Sequence, residues 1–365
     1  MIKGIYIHIP FCGLKCPYCD FTSFISFDED IKRRYLNALL RELELYSDLD
    51  YNIETLYFGG GTPTTLNPNL LGKIIEFITK FFKTSSDLEI TVESNPNNYS
   101  LKDFKTLREF GVNRISIGNQ SFLIKNLKTL GRDHTAIDTL KSLENVYNAG
   151  IENINLDLIY GIPGQSIGDL ERDLQIYTDL PIKHISAYML TAYEETPLGV
   201  LVNRGEISLP EDELLCQMFE LIDTFLEDRG FERYELSNWA KDGFFCKHNL
   251  FYWTHVEFLG VGVSAWSFVN NERFGNTKNI NQYIQMIEKG LKPVINREFL
   301  NEEKIREEKI FLGLRLKEGI DIDLISDKEM LYTFVMEGYG EINEGKFSLT
   351  PKGIMVINYI TSRLV

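Results

Sequence analysis

The sequence predicts an α/β fold: a partial, TIM-like (β/α)6 barrel over residues 1–200, followed by a smaller α+β C-terminal region. Three observations predict it. Short β-branched runs alternate with amphipathic helical stretches through the first two hundred residues, the pattern of a parallel sheet assembled from right-handed βαβ units. Six such units are too few for a closed eight-fold barrel. Chemistry-bearing residues sit after the runs, at the C-terminal strand ends where sheets of this kind hold ligands.

The expected strands are Gly4–Pro10, Thr55–Gly59, Glu89–Glu93, Arg114–Gly118, Asn153–Leu158 and His184–Leu190. Between them lie helices expected at Asp28–Tyr46, Pro68–Phe82, Ser100–Phe110, Thr135–Ala149 and Ser166–Thr178. Asp28 and Ser100 stand at N-cap positions, and Gly111 and Gly150 stop their helices before the next strand. Residues 201–300 read as an extension whose segment Phe258–Trp266 is a glycine-rich turn against the barrel mouth. Residues 301–365 read as helices Glu302–Lys317 and Asp321–Phe334, a hairpin Tyr339–Leu349 and a helix Pro351–Arg363. Helix, helix, hairpin, helix is the order of a winged-helix module, read here as a docking or packing element.

Composition narrows the function. A formal net charge of −15 argues against a nucleic-acid binder and against electrostatic attachment to anionic membranes. No stretch approaches the ~20 apolar residues of a spanning helix. Met1-Ile2-Lys3-Gly4 runs straight into the first strand, leaving no room for a signal peptide. The 5 cysteines are an odd number, with Cys216 and Cys246 far from the rest, a reduced and cytoplasmic pattern.

Cys12, Cys16 and Cys19 form a C-x3-C-x2-C run on the loop after the first strand. Three thiolates fall one short of a closed zinc or all-cysteine cluster site. They suit a [4Fe-4S] cubane with one iron left open. A zinc site completed by His8 or Asp20, or simply buried cysteines, are the blander alternatives. Gly59-Gly60-Gly61-Thr62-Pro63 lets backbone approach a ligand without a Cβ in the way. Glu93 ends a half-buried strand, where a carboxylate needs a partner. Asp157 interrupts an otherwise apolar strand. Gln120 and Arg132 are individually weaker candidates.

Together these segments resemble the radical S-adenosylmethionine (SAM) superfamily. The stretch Asp157-Leu158-Ile159-Tyr160-Gly161-Ile162-Pro163-Gly164 resembles the anaerobic coproporphyrinogen III oxidase (dehydrogenase) family within it. The resemblance implies a [4Fe-4S] cluster on Cys12, Cys16 and Cys19, with SAM chelating the open iron. It implies that Tyr6, Tyr18, Gly60, Gly61, Thr62, Glu93, Gln120, Arg132 and Asp157 surround SAM, with Tyr188 and Trp266 as outlying contacts.

Two departures choose the branch. The dehydrogenases carry a fourth cysteine two residues after the third, where this chain has Phe21, and a long N-terminal arm, where it has five residues before Tyr6. Both resemble the HemW-type heme chaperone branch, as does H-N-x-x-Y-W, present as His248-Asn249-Leu250-Phe251-Tyr252-Trp253. The branch implies a chaperone that binds heme as cargo and passes it to a membrane-bound respiratory enzyme. His248 is then the candidate axial ligand, although the same segment also reads as aromatic core. A cytoplasmic protein is expected, peripheral at the inner membrane when it meets its acceptor, with dimerisation left open. The competing expectation is an oxygen-independent coproporphyrinogen III dehydrogenase that decarboxylates two propionates.

Overall fold

The computed structural model describes residues 1–25 and 28–365. β1 (Ile2–Ile9) leads into the cysteine loop, whose two ends are tied by a short parallel pair, β2 (Phe11–Cys12) and β3 (Phe24–Ile25). α1 (Glu29–Leu45) begins at Asp28, whose carboxylate accepts the Ile31 N–H at 2.8 Å, so the expected cap is real. β4 (Tyr51–Gly60), α2 (Pro68–Phe81), β5 (Thr84–Ser94) and α3 (Leu101–Glu109) follow. Ser100 and Asp103 close a capping box on α3. β6 (Arg114–Gln120) is followed by α4 (Ile124–Thr129), a short helix the periodicity did not announce. α5 (Ala136–Asn148), β7 (Asn153–Tyr160), α6 (Ile167–Asp179) and β8 (His184–Met189) complete the barrel.

These strands alternate two faces. Ile5, Ile7, Leu56, Phe58, Ile90, Val92, Ile115, Ile117, Ile154, Leu156 and Ile185 are buried in the main core. The residues between them are polar: Tyr6 and His8 on β1, Thr55 and Tyr57 on β4, Glu89 and Glu93 on β5, Arg114 and Ser116 on β6, Asn155 and Asp157 on β7. Side chains on a strand point alternately to opposite sides. The apolar set therefore packs under the helices, and the polar set lines the concave side.

After β8 come α7 (Pro197–Asn203), α8 (Asp212–Glu227), β9 (Glu232–Glu235), β10 (Asn238–Ala240) and α9 (Lys247–Trp253). Then follow β11 (Phe258–Val261), β12 (Trp266–Val269), β13 (Glu272–Asn276), α10 (Ile280–Glu288) and β14 (Val294–Phe299). All of these strands join the same sheet, whose order is β14-β13-β12-β11-β1-β4-β5-β6-β7-β8-β10-β9. β11 runs parallel to β1, with Tyr6 opposite Gly260, whereas both outer ends of the sheet are antiparallel. The sheet is open. Phe258–Trp266 is thus a strand, a turn and the start of another strand, with left-handed backbone at Gly262 and Ser264.

The C-terminal segment comprises α11 (Glu302–Gly313), β15 (Ile320–Asp321), α12 (Lys328–Met336), β16 (Gly340–Asn343), β17 (Lys346–Leu349), α13 (Pro351–Ile354) and α14 (Ile357–Leu364). The hairpin turn falls as expected, with Glu344 and Gly345 both at positive φ, as a two-residue primed turn requires. Two expected helices are corrected. Asp321–Phe334 is not one helix: Ile320 pairs with Phe347, Ile322–Leu324 make a single 3-10 turn, and α12 starts only after Asp327, which caps it by accepting from the Met330 N–H. Pairing of Ile320 and Asp321 with β17 and the cap at Asp327 break the run that reads as one helix. Pro351–Arg363 breaks at Val356, which leaves helical geometry. Glu308 ties α11 to the sheet by an ion pair with Arg273 and a 3.0 Å contact with His255.

Candidate functional site

At the C-terminal ends of the parallel strands lies a cavity of about 370 Å³. Cys12, Cys16 and Cys19 line it, as do Tyr18, Gly60, Gly61, Thr62, Glu93, Gln120, Arg132, Asp157 and Tyr188. Residues at or after the ends of β1, β4, β5, β6, β7 and β8, scattered over some 180 positions, are thereby brought to one place. Tyr6, Trp266 and His248 do not line it. Trp266 lies 45% exposed at the start of β12, and its backbone crowds Gly260.

The glycine run has to be glycine for local reasons. Gly60 adopts φ +108, and a Cβ there would meet the His8 ring at 2.5 Å. At Gly61 a Cβ would strike the backbone of Phe11 and Ile9, at 2.8 and 2.9 Å. Those same groups are bonded: the Gly61 N–H donates to the Ile9 carbonyl and the Thr62 N–H to the Phe11 carbonyl. The glycine loop is thus pinned directly onto the start of the cysteine loop.

Among the thiols, the Cys12 Sγ lies 3.6 Å from the Thr62 hydroxyl, and the Cys16 Sγ accepts from Arg132 Nη1 at 3.4 Å. Burial raises the thiol pKa of Cys12, and that of Cys19 to about 11. Without a metal these two thiols hold their protons, so metal binding has to displace them. Among the described residues no three His, Cys, Asp or Glu side chains converge on one metal ion. A cubane asks for something else, since each thiolate binds a different iron.

Arg132 is held by the Asn95 side-chain oxygen (2.8 Å) and the Gly118 carbonyl (2.6 Å), leaving its buried Nε without a partner. Gln120 stands at φ +69, uncommon for a side-chain-bearing residue, and its Oε1 is likewise buried and unpaired. Glu93 accepts from the Tyr57 hydroxyl (2.8 Å) and the Gly60 N–H (3.2 Å). Asp157 accepts from Asn155 Nδ2 (2.7 Å) and, more loosely, from the Ser116 hydroxyl (3.4 Å). Burial pushes the Glu93 carboxyl up to about 7 and that of Asp157 up to about 6. Two carboxyls with spare lone pairs, poised to ionise, and two unsatisfied polar atoms around one cavity form a polar cradle suited to a cationic, hydroxyl-rich ligand.

His248 is placed elsewhere. It is fully buried on α9; its Nδ1 meets the Thr55 hydroxyl at 2.7 Å and its Nε2 the Tyr252 hydroxyl at 2.9 Å. Burial lowers its pKa to about 3, so the ring is neutral. His8 and His184 are also packed inside, His8 between Tyr6 and the Thr22 carbonyl and His184 between Asn155 and Tyr234.

Reading the sequence missed Tyr57, Ser116 and Asn155: Ser116 lines the cavity itself, while Tyr57 and Asn155 donate to Glu93 and Asp157. A tyrosine in a β-branched strand reads as ordinary strand composition. The available signal was parity: Thr55, Tyr57 and Gly59 share the face opposite Leu56 and Phe58, so Tyr57 had to look toward the glycine run.

Comparison with known proteins follows the same lines. Residues 6–176 match the family model described as Radical SAM superfamily, and residues 300–356 that described as HemN C-terminal domain. The chain is 38% identical over 363 residues to the heme chaperone HemW of Bacillus subtilis, covering 97% of this chain and 93% of that one. It is 32% identical over 373 residues to the heme chaperone HemW of Mycobacterium tuberculosis, with 99% and 94% covered. Among solved structures, the coproporphyrinogen III oxidase HemN of Escherichia coli superposes with a TM-score of 0.85 at 22% identity, covering 99% of this chain and 89% of that one. That likeness establishes the shared fold.

Proposed function

Because the chain belongs to the radical SAM superfamily and, within it, to the family of the heme chaperone HemW, we propose that it is a cluster- and SAM-binding heme chaperone. The observation that carries this reading is the end-to-end match to proteins of that description, joined to a cavity lined by the C-x3-C-x2-C cysteines. The residues fit the cofactors. Cys12, Cys16 and Cys19 would hold the [4Fe-4S] cluster, and Tyr18, Gly60, Gly61, Thr62, Gln120 and Arg132 would surround SAM, with Tyr188 at the rim. Glu93 would accept the ribose hydroxyls and Asp157 would face the positive charge of SAM. Tyr6 and Trp266, off the cavity, would act at most through neighbours or backbone.

A reduced [4Fe-4S] cluster held by Cys12, Cys16 and Cys19 would supply an electron to bound SAM, the chemistry that the dehydrogenase reading requires. The chain's own part is to bind, orient and exclude water. Arg132, donating to Cys16 and held by Asn95 and Gly118, keeps a positive charge beside the thiolates. Gly60 and Gly61 bring backbone close to the ligand.

Heme is the proposed cargo, a membrane-bound respiratory enzyme the proposed acceptor, and the cytoplasm, at the inner-membrane surface, the proposed place of transfer. None of the described helices is long and apolar enough to cross a membrane, which agrees with transient contact. Residues 1–200, 201–300 and 301–365 are kept as a functional division, barrel, extension and docking element, although the middle part adds strands to both edges of the barrel's own sheet. His248 can serve as axial ligand only if one of its two hydrogen bonds opens.

The second reading, coproporphyrinogen III dehydrogenase, draws on the fold shared with HemN. Against it, the position of the dehydrogenases' extra cysteine is Phe21, 63% exposed on the cavity lining. Anaerobically reconstituted protein, assayed side by side, decides between them. Stoichiometric heme binding without conversion of coproporphyrinogen III is expected; robust protoporphyrinogen IX formation would replace the chaperone reading. His248→Ala is expected to alter the heme spectrum if its imidazole is the ligand, and an unaltered spectrum moves the ligand to another residue.

A further inference from the structure

The H-N-x-x-Y-W segment lies outside the cavity, yet a continuous column of side chains joins it to Glu93. The Tyr57 hydroxyl donates to Glu93 Oε1 at 2.8 Å. The Tyr57 ring stacks on His248, centroids 5.1 Å apart and planes 25° apart, with Tyr6 alongside at 6.2 Å. His248 is fixed at both ring nitrogens, by Thr55 of the strand that carries Tyr57 and by Tyr252 of its own helix. The backbone N–H groups of Lys247 and His248 donate to the Glu89 carboxylate at 3.2 and 3.3 Å. Glu89 and Glu93 share a face of β5. The column therefore starts and ends on one strand, and closes through α9.

We propose that Tyr57 is a positioning residue for Glu93, and that His248 braces Tyr57 from the side away from the cavity, so that the H-N-x-x-Y-W segment sets the geometry of SAM binding. The proposal rests on the reading of Glu93 as the acceptor for the SAM ribose. Chemically, the tyrosine hydroxyl can only donate to an ionised Glu93, so it favours the carboxylate and fixes the rotamer that faces the cavity. Each carboxylate oxygen keeps a second lone pair for the ligand. The neutral, doubly bonded imidazole gives the phenol a rigid, uncharged wall, and the rings leave little freedom to rotate away. A heme chaperone whose distinguishing segment is tied to its SAM pocket would have the two ligands share one packed element.

The test uses cluster-reconstituted full-length protein and SAM affinity measured from pH 6 to 9. The charged and titratable groups facing Glu93 are Asp157, Arg114, Tyr57, Tyr6, Tyr188 and Tyr252, drawn from all the elements around it. Wild-type affinity is expected to fall as pH drops through about 7, where Glu93 takes up its proton. Tyr57→Phe keeps the ring and removes one hydrogen bond to a charged group, which is expected to weaken SAM binding about ten-fold. It should also move the pH midpoint upward, because the proton-disfavouring donor is gone. In a Glu93→Ala background the same change should have almost no effect, since coupled residues lose their additivity. His248→Phe, which keeps a ring but neither hydrogen bond, should weaken SAM binding by a smaller factor, whatever it does to heme. Cluster content serves as the control for folding. Wild-type SAM affinity and pH midpoint in Tyr57→Phe, with Glu93→Ala impaired, would overturn the positioning role alone. Unimpaired Glu93→Ala would remove the reading of Glu93 and the inference with it.

Discussion

At the scale of single residues, the cavity brings together three thiols and two carboxyls, and each set makes its own prediction. Replacing Cys12, Cys16 or Cys19 by Ala is expected to abolish an oxygen-sensitive [4Fe-4S] cluster, read from its visible absorption and iron content; Cys216→Ala should leave it intact. Zinc in place of iron after anaerobic purification would refute the cluster assignment. Glu93→Ala or Asp157→Ala should cost SAM affinity roughly ten- to hundred-fold, the loss of a charged hydrogen bond worth about 1.5–3 kcal/mol, while the cluster stays. Acidity adds a further check. Both folded-state pKa values, about 7 and about 6, lie above the unfolded carboxyl range. The folded chain then holds protons that the unfolded chain has already released, so this contribution to stability is lost as pH rises through 6 to 7. Positively charged SAM offsets the loss, and its shift of the melting temperature should be larger at pH 8 than at pH 5.5. Equal shifts at the two pH values would place SAM away from the carboxyls. Residue types and spacing made the cysteines, glycines and carboxyls legible in the sequence. They could not reveal partners: His248 meets Tyr252 one turn along its own helix, but its other nitrogen is spent on Thr55, a strand residue 193 positions away.

At the scale of elements, periodicity told most where one face is buried and least where pairing is non-local. The barrel strands announced themselves because their apolar faces pack under helices. β15 did not, since its two residues gain strand character only from β17. Nor did the pairing of β11 with β1, which places Gly260 beside Tyr6. The turn after β11 is held by a carboxylate from another element. Fully buried Glu42 of α1 accepts from the Gly262 N–H (2.7 Å), Asn276 Nδ2 (2.6 Å) and the Tyr283 hydroxyl (2.5 Å). All three partners donate, so Glu42→Gln sets an amide N–H against a donor. The expected cost is about 1–3 kcal/mol, visible as a lower melting temperature or a lower denaturant midpoint. An unchanged midpoint would mean that the turn does not depend on this acceptor.

At the scale of the whole molecule, a twelve-stranded open sheet carries a polar cavity on its concave side, and the strands after residue 200 extend both edges of that sheet. The strand–helix alternation foretold the partial barrel, whereas the addition of β11 through β14 on one side and β9 and β10 on the other had no local signature. The position of β1 has a consequence for synthesis on the ribosome. β1 leads straight into the cysteine loop and lies inside the sheet, yet one of its two neighbours, β11, is translated about 250 residues later. Pairings this distant in sequence form slowly. Until residue 261 has emerged, one side of β1 offers bare peptide groups, an edge open to wrong partners. The nascent chain must therefore carry its future cluster loop on an unfinished wall through two thirds of translation, and cluster insertion before that wall closes would meet thiols in a half-built setting.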